Sequence, residues 1–186
     1  MPSIVDVANR ALDKLGHGAI TSLTDGTKAA DLVNRTWPLV RDQVLRSHPW
    51  NFAVKRATLA PLTETPDWGF SYQHELPSDL LRILEVLDLS MDEYQIEGNK
   101  LLCDESVVYI RYIYQVTDPN VFDSLFTNYL ATALAFEMCE TLTQSNTKKN
   151  LLAEELREVM LEAKRTDAVE NPPVSFEEDS WVEARY

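Results

Sequence analysis

Three histidines, two cysteines and a pair of glutamates one helical turn apart are the residues of this chain that could hold a metal ion or move a proton. His17, His48 and His74 lie far apart, in separate loops or edges, and none has a second ligand four residues away, so metal binding has no pattern to rest on. Glu137 and Glu140 share one side of a helical run, and inward-facing carboxylates can hold two iron ions in helix bundles. Such a centre also needs a Glu-x-x-His from each of two helices, and that motif is missing from the sequence, so the pair reads as a solvated edge or an ion pair between subunits. Ser145 and Lys148 have S-x-x-K spacing without the companion motifs of penicillin-recognising enzymes, and read as a helix-cap region. With five glycines and neither a phosphate loop nor G-x-S-x-G, the sequence gives catalysis no support; no cofactor, no metal and no enzymatic role are expected. Cys103 and Cys139 lack metal-ligand spacing and read as core residues of a chain kept reduced.

The aromatic residues offer contact chemistry instead. Trp37, Trp50 and Phe52 are spaced to pack where helices meet strands. Trp68 and Phe70 flank Gly69 in the loop TETPDWGFSYQ, where an exposed aromatic marks a contact surface. A third group lies in NPPVSFEEDSWVEARY, residues 171–186, where Phe176, Trp181, Val182 and Tyr186 are set among four acids and one arginine, Arg185, after Pro172 and Pro173.

Thirty acidic residues against seventeen basic ones give a formal charge of -13, which disfavours binding to nucleic acid by charge attraction. No stretch approaches the ~20 apolar residues of a membrane span, so a soluble, unsecreted chain is expected. At 186 residues it has the length of one domain, with enough chain for a core that needs no disulfide or metal.

The elements that must position these groups follow from periodicity. Ser3 caps a first helix, about 3–16, carrying Ile4, Val7, Ala8, Ala11, Leu12 and Leu15, and Gly16 ends it. A second helix, from about 28 to 47, contains Pro38, which predicts a kink or a break. From 50 to 117 the pattern becomes β, in six short runs. Glu97-Gly98-Asn99-Lys100 predicts a hairpin turn, and the last run, apolar on both faces, predicts a central antiparallel strand. Leu76-Pro77-Ser78-Asp79-Leu80 reads as a short helical turn. A third helix, about 119–143, is apolar on more than one side and should sit centrally or at a subunit contact; a fourth spans about 147–165. The expectation is an α+β domain over 1–166, a four-helix bundle with an antiparallel β-rich insertion between helices 2 and 3, followed by an extended tail over 167–186.

The stretches ANRALDKLGHGAITSLTD, WPLVRDQVLRSHPWNFAVKRATLAP and GFSYQHELPSDLLRILEV resemble the tail tubular protein A family of tailed bacteriophages, the head-to-tail adaptors of short-tailed phages. The resemblance runs from about Ile4 to Val86. Its motifs are Arg41-Asp42, then His48-Pro49-Trp50-Asn51-Phe52-Ala53, then Leu76-Pro77-Ser78-Asp79, and these read as structural. It implies a virion protein, present in the host cytoplasm during assembly, that forms a ring of about twelve copies below the portal protein. Such a ring continues the DNA channel without binding DNA specifically, and holds the tail nozzle, a tail tubular protein B-like component, and in many cases the fibres. The acidic charge suits a channel wall along which DNA must slide, and a helix apolar on several sides suits a ring of subunits. Trp68 and Phe70 then become candidate nozzle or fibre contacts.

From Asp167 to Tyr186, twenty residues could extend up to roughly 65 Å, enough to reach another ring. Pro172 and Pro173 favour an extended form, and Phe176, Trp181, Val182, Arg185 and Tyr186 supply anchors for docking on the portal. A solubilising acidic end without a partner is the other reading of this segment. A tail-completion or assembly factor acting outside a twelve-fold ring is the alternative function.

Overall fold

The computed structural model describes residues 3–170; the portal-docking residues expected at Pro172, Pro173, Phe176, Trp181, Val182, Arg185 and Tyr186 lie outside it. In chain order the elements are helices α1 (Ile4–Leu15) and α2 (Lys28–Arg46), strands β1 (Val54–Leu59), β2 (Tyr72–Glu75), β3 (Leu80–Val86), β4 (Tyr94–Glu97), β5 (Lys100–Cys103) and β6 (Val108–Tyr114), then helices α3 (Ser124–Thr143) and α4 (Asn146–Glu170). The class is α+β, as expected.

Local chemistry sets most of the boundaries. Ser3 and Asp6 form a reciprocal capping box at the start of α1, and Gly16, at φ 68°, ends it in the left-handed region open to a residue without Cβ. Thr27 caps α2, which runs through Pro38 unbroken. Pro38 and Asn34, whose carbonyl loses its partner, both face solvent, and water can replace the lost bond. Asp123 caps α3 by accepting from the amides of Leu125 and Phe126. That helix starts five residues after the expected position, because Asp118-Pro119 nucleates only a single 3-10 turn, Pro119–Val121.

The six strands divide between two three-stranded antiparallel sheets, β1-β6-β3 and β2-β5-β4. β6 is central in the first, and Gly98, at φ 59°, turns the β4-β5 hairpin in which Glu97 pairs with Lys100. Leu76–Leu80 is a tight turn closed by Leu80 N–H donating to the Pro77 carbonyl at 3.0 Å, not a helical turn. The apolar residues on both faces of β6 now have two destinations. Val108, Ile110 and Tyr112 pack on Leu101 and Cys103 of the second sheet, while Ile113 enters the helical core. The molecule therefore has three layers: helices, the β1-β6-β3 sheet, and the β2-β5-β4 sheet.

The helices do not close into the expected four-membered bundle. α3 packs on α1, α2 and α4, and those are the substantial helix-helix contacts among the described residues. The physical reason is the distribution of apolar surface. α3 buries Phe126, Tyr129, Leu130, Ala131, Leu134, Ala135, Met138 and Cys139 around its whole circumference, whereas α1 offers a single stripe and α4 buries fully only Leu152, Ala163 and Asp167. α3 thus satisfies its all-round apolarity within its own chain, and that feature ceases to argue for a subunit contact.

A candidate structural clasp and two contact surfaces

α2 ends at Arg46 with Ser47 as its C-cap, and the chain turns back through His48, Pro49 and the 3-10 turn Asn51–Ala53 into β1. α4 runs five residues past its expected end, and its last turn lies against this corner. The Asp167 side chain, buried there, accepts from His48 Nε2 at 3.0 Å and from the Asn51 amide at 2.9 Å, and Asn51 Nδ2 donates to the Asp167 carbonyl at 2.8 Å. A carboxylate only accepts, so Nε2 is the protonated nitrogen of His48. Burial pushes the His48 pKa below its ordinary value, the hydrogen bond and charge of Asp167 opposing that shift only in part. At neutral pH the pair is an uncharged imidazole donating to a carboxylate. The expected tail residue Asp167 is therefore a helical anchor. Its signal in the sequence is its place four residues after Ala163, on the same buried stripe of α4.

Behind the clasp, Trp50 is fully buried and donates from Nε1 to the Val44 carbonyl at 3.1 Å. It meets His48 and Phe126 edge to face, with ring centres 4.7 and 5.0 Å apart, and Phe52 meets Phe122 and Phe126 at 5.7 and 4.8 Å. Each such pair adds roughly 0.5–1.5 kcal/mol beyond its buried area. Trp37 is buried in α2, apart from these ring pairs, with its Nε1 unpartnered among the described residues.

The other two motifs fasten neighbouring joints. Asp42 accepts from Arg41 Nε and from Gln115 Nε2, each at 2.7 Å, linking α2 to the chain leaving β6. Asp79 accepts from Lys55 Nζ at 2.9 Å and Tyr112 Oη at 3.0 Å, which ties the Pro77 turn to β1 and β6. Burial would raise the Asp79 pKa, but the bonds from Lys55 and Tyr112 and the charge of Lys55 outweigh it and hold the carboxyl below its ordinary value. Burial, with Asp79 beside it, pushes the Tyr112 hydroxyl up to about 12. The first two motifs thus tie helices α2 and α4 to the chain segments that flank β1 and β6, and the third braces the Pro77 turn within the first sheet.

Trp68 and Phe70 sit elsewhere, on the loop leading into the outer sheet. Trp68 is 83% exposed and Phe70 half-buried, and both line a polar pocket with Gln73, Gln95, Glu97 and Lys100. The remaining candidates stay dispersed. His17 is exposed; His74 is buried beneath the outer sheet, with Nε2 3.0 Å from the Glu105 carbonyl. Glu137 and Glu140 face solvent, Glu140 pairing with Lys149 at 2.7 Å. Lys148 donates to the Leu15 carbonyl at 2.6 Å, so the Ser145–Lys148 segment helps to close the C-terminus of α1. Among the described residues no group of three or more His, Cys, Asp or Glu is placed to hold a metal ion, and no helix is long and apolar enough to cross a membrane.

The outer surfaces also carry features that the strand pattern did not reveal. The helices cover only the Ile113 end of the first sheet. Beyond it, Arg111 and Arg56 sit opposite one another on β6 and β1, and past them Tyr109, Leu87 and Val107 are about half exposed. No protein-family model matches the chain, and no curated protein does.

Proposed function

We propose that this protein is a structural adaptor of a phage virion, joining the portal to the tail nozzle or fibres. The observation that carries the reading is the separation of a rigid, motif-built joint from two distinct surfaces fit for contact. The motif residues of the resemblance are engaged in hydrogen bonds between neighbouring elements of their own chain. Exposed groups then lie on the Trp68 loop of the outer sheet and where α4 delivers residue 170 to the surface. A protein that bridges two partners needs a stiff body and separated contact sites, because a soft body would decouple them.

In this reading residues 171–186 dock on the portal and the Trp68 loop meets the nozzle or a fibre. The helical layer supplies ring contacts, for which Leu39 of α2 and Leu151 and Leu161 of α4 are exposed apolar groups. With α4 helical through Glu170, sixteen residues remain beyond it, still able to span up to roughly 55 Å. The excess of negative charge suits a wall past which DNA moves.

Light scattering or native mass spectrometry of the protein, alone and mixed with the portal protein encoded near it, tests the proposal. The expected outcome is a portal ring that gains about twelve copies, the number implied by the resemblance. A protein that never joins the portal would leave an assembly factor outside the ring as the better reading.

A further inference from the structure

We infer that residues 171–186 have a docking site on their own chain, the open shelf of the β1-β6-β3 sheet beside the end of α4. This inference is independent of the adaptor reading and rests on position, charge and reach. Glu170 itself borders the groove formed with Asn51, Leu84, Arg56 and Arg111, so the next residue starts at the shelf's edge. A second groove shares Arg56 and Arg111 and continues across Tyr109 and Leu87.

Strand pairing lays the shelf out in rows. Arg56 pairs with Arg111, and Arg111 with Glu85, giving two guanidinium groups against one carboxylate; the next row is Thr58 with Tyr109, beside Leu87. A cationic row followed by an aromatic and apolar one is an unusual surface on a chain whose net charge is -13. The Arg111 Nε is buried and without a hydrogen-bond partner among the described residues, although Glu85 lies 3.1 Å away. The contact distance and the missing bond differ because the angle, not the distance, is unfavourable.

The segment complements that pattern. Glu177, Glu178 and Asp179 follow Phe176 and precede Trp181, so acids stand between two aromatic anchors. From Arg111 to Val107 is four strand residues, about 13 Å. Phe176 lies six residue steps beyond Glu170, a reach of up to about 20 Å, so the segment spans the shelf with length to spare. The acids face Arg56 and Arg111 while Phe176 and Trp181 cover Tyr109 and Leu87. A copy of the chain bound in this way must release the segment before it can dock on any other protein.

Hydroxyl-radical footprinting of the full chain tests this, comparing wild type with the double variant Phe176→Ala, Trp181→Ala and with Arg56→Glu. The segment variants leave the described core untouched, and Trp50, fully buried in that core, reports whether any variant has changed fold. Oxidation of Tyr109 is expected to be about fivefold slower in the wild type than in either variant, the ratio for a shelf covered four-fifths of the time, with Trp50 unchanged. Equal Tyr109 rates in all three overturn the inference. Protection that disappears on dilution also overturns it, because the occupant would then be another copy's segment.

Discussion

Asp167 satisfies two donors with its carboxylate and a third with its carbonyl, all in the corner after α2. Removing the carboxylate leaves the Asn51 amide and the His48 ring without acceptors. Asp167→Ala should therefore destabilise the fold by about 1–3 kcal/mol, read as a lower urea midpoint at unchanged slope. An unchanged midpoint would mean that the end of α4 is held by other contacts. His48 adds a pH dependence. Its folded pKa lies below 6.5, so the unfolded chain binds the proton first as pH falls. The stability contributed by neutral His48 is present above about 6.5 and is lost as pH falls through the lower folded value. Wild type should thus lose more thermal stability between pH 7.5 and 5 than His48→Gln does; parallel losses would exclude His48 as the source. The histidine was visible in the sequence, but its partner 119 positions away was not, because only α4 packing onto α3 brings Asp167 to that corner.

Among the elements, α2 continues without a break through a proline whose orphaned carbonyl faces water. Pro38→Ala restores that bond and the intrinsic preference, and should stabilise the fold by about 1–2 kcal/mol after allowing for the freer unfolded chain. A lower melting temperature would show that the proline shapes the helix to its neighbours. Gly98 has the opposite sensitivity. At φ 59° in a two-residue hairpin loop, Gly98→Ala should cost about 1 kcal/mol, measured by denaturant unfolding, even though nothing would touch the added Cβ. Both effects are local, and both positions could be recognised from residue type and context. The ends of α3 and α4 could not, since Asp118 and Asp123 are both competent caps, and α4 is prolonged by what it packs on.

For the whole molecule, exposure separates stability from partnership. Trp68→Ala should change unfolding free energy by less than about 0.5 kcal/mol, and under the proposed function it should weaken attachment of the tail component in a pull-down with the portal ring already bound. Undiminished attachment would remove that loop from the interface. Trp50→Ala, by contrast, should cost about 3–5 kcal/mol and reduce every assembly step through loss of folded protein. Deleting residues 171–186 separates these cases, since the proposed function expects a folded chain that no longer adds to the portal. A truncated chain that joins it with full affinity would assign the docking to another surface.

The sequence by itself determined the α+β class, the capped start of α1, the β6 strand as the centre of a sheet, and the hairpin at Gly98. Each depends on nearest neighbours along the chain: a cap and its amide, the alternation of one strand, the φ of one glycine. Tertiary structure decided how many sheets form, that three helices gather round α3, that Asp167 belongs to a joint, and that Arg56, Arg111 and Tyr109 form an open shelf. Those outcomes depend on which surfaces compete for the same apolar area, and that competition is settled only when the layers meet.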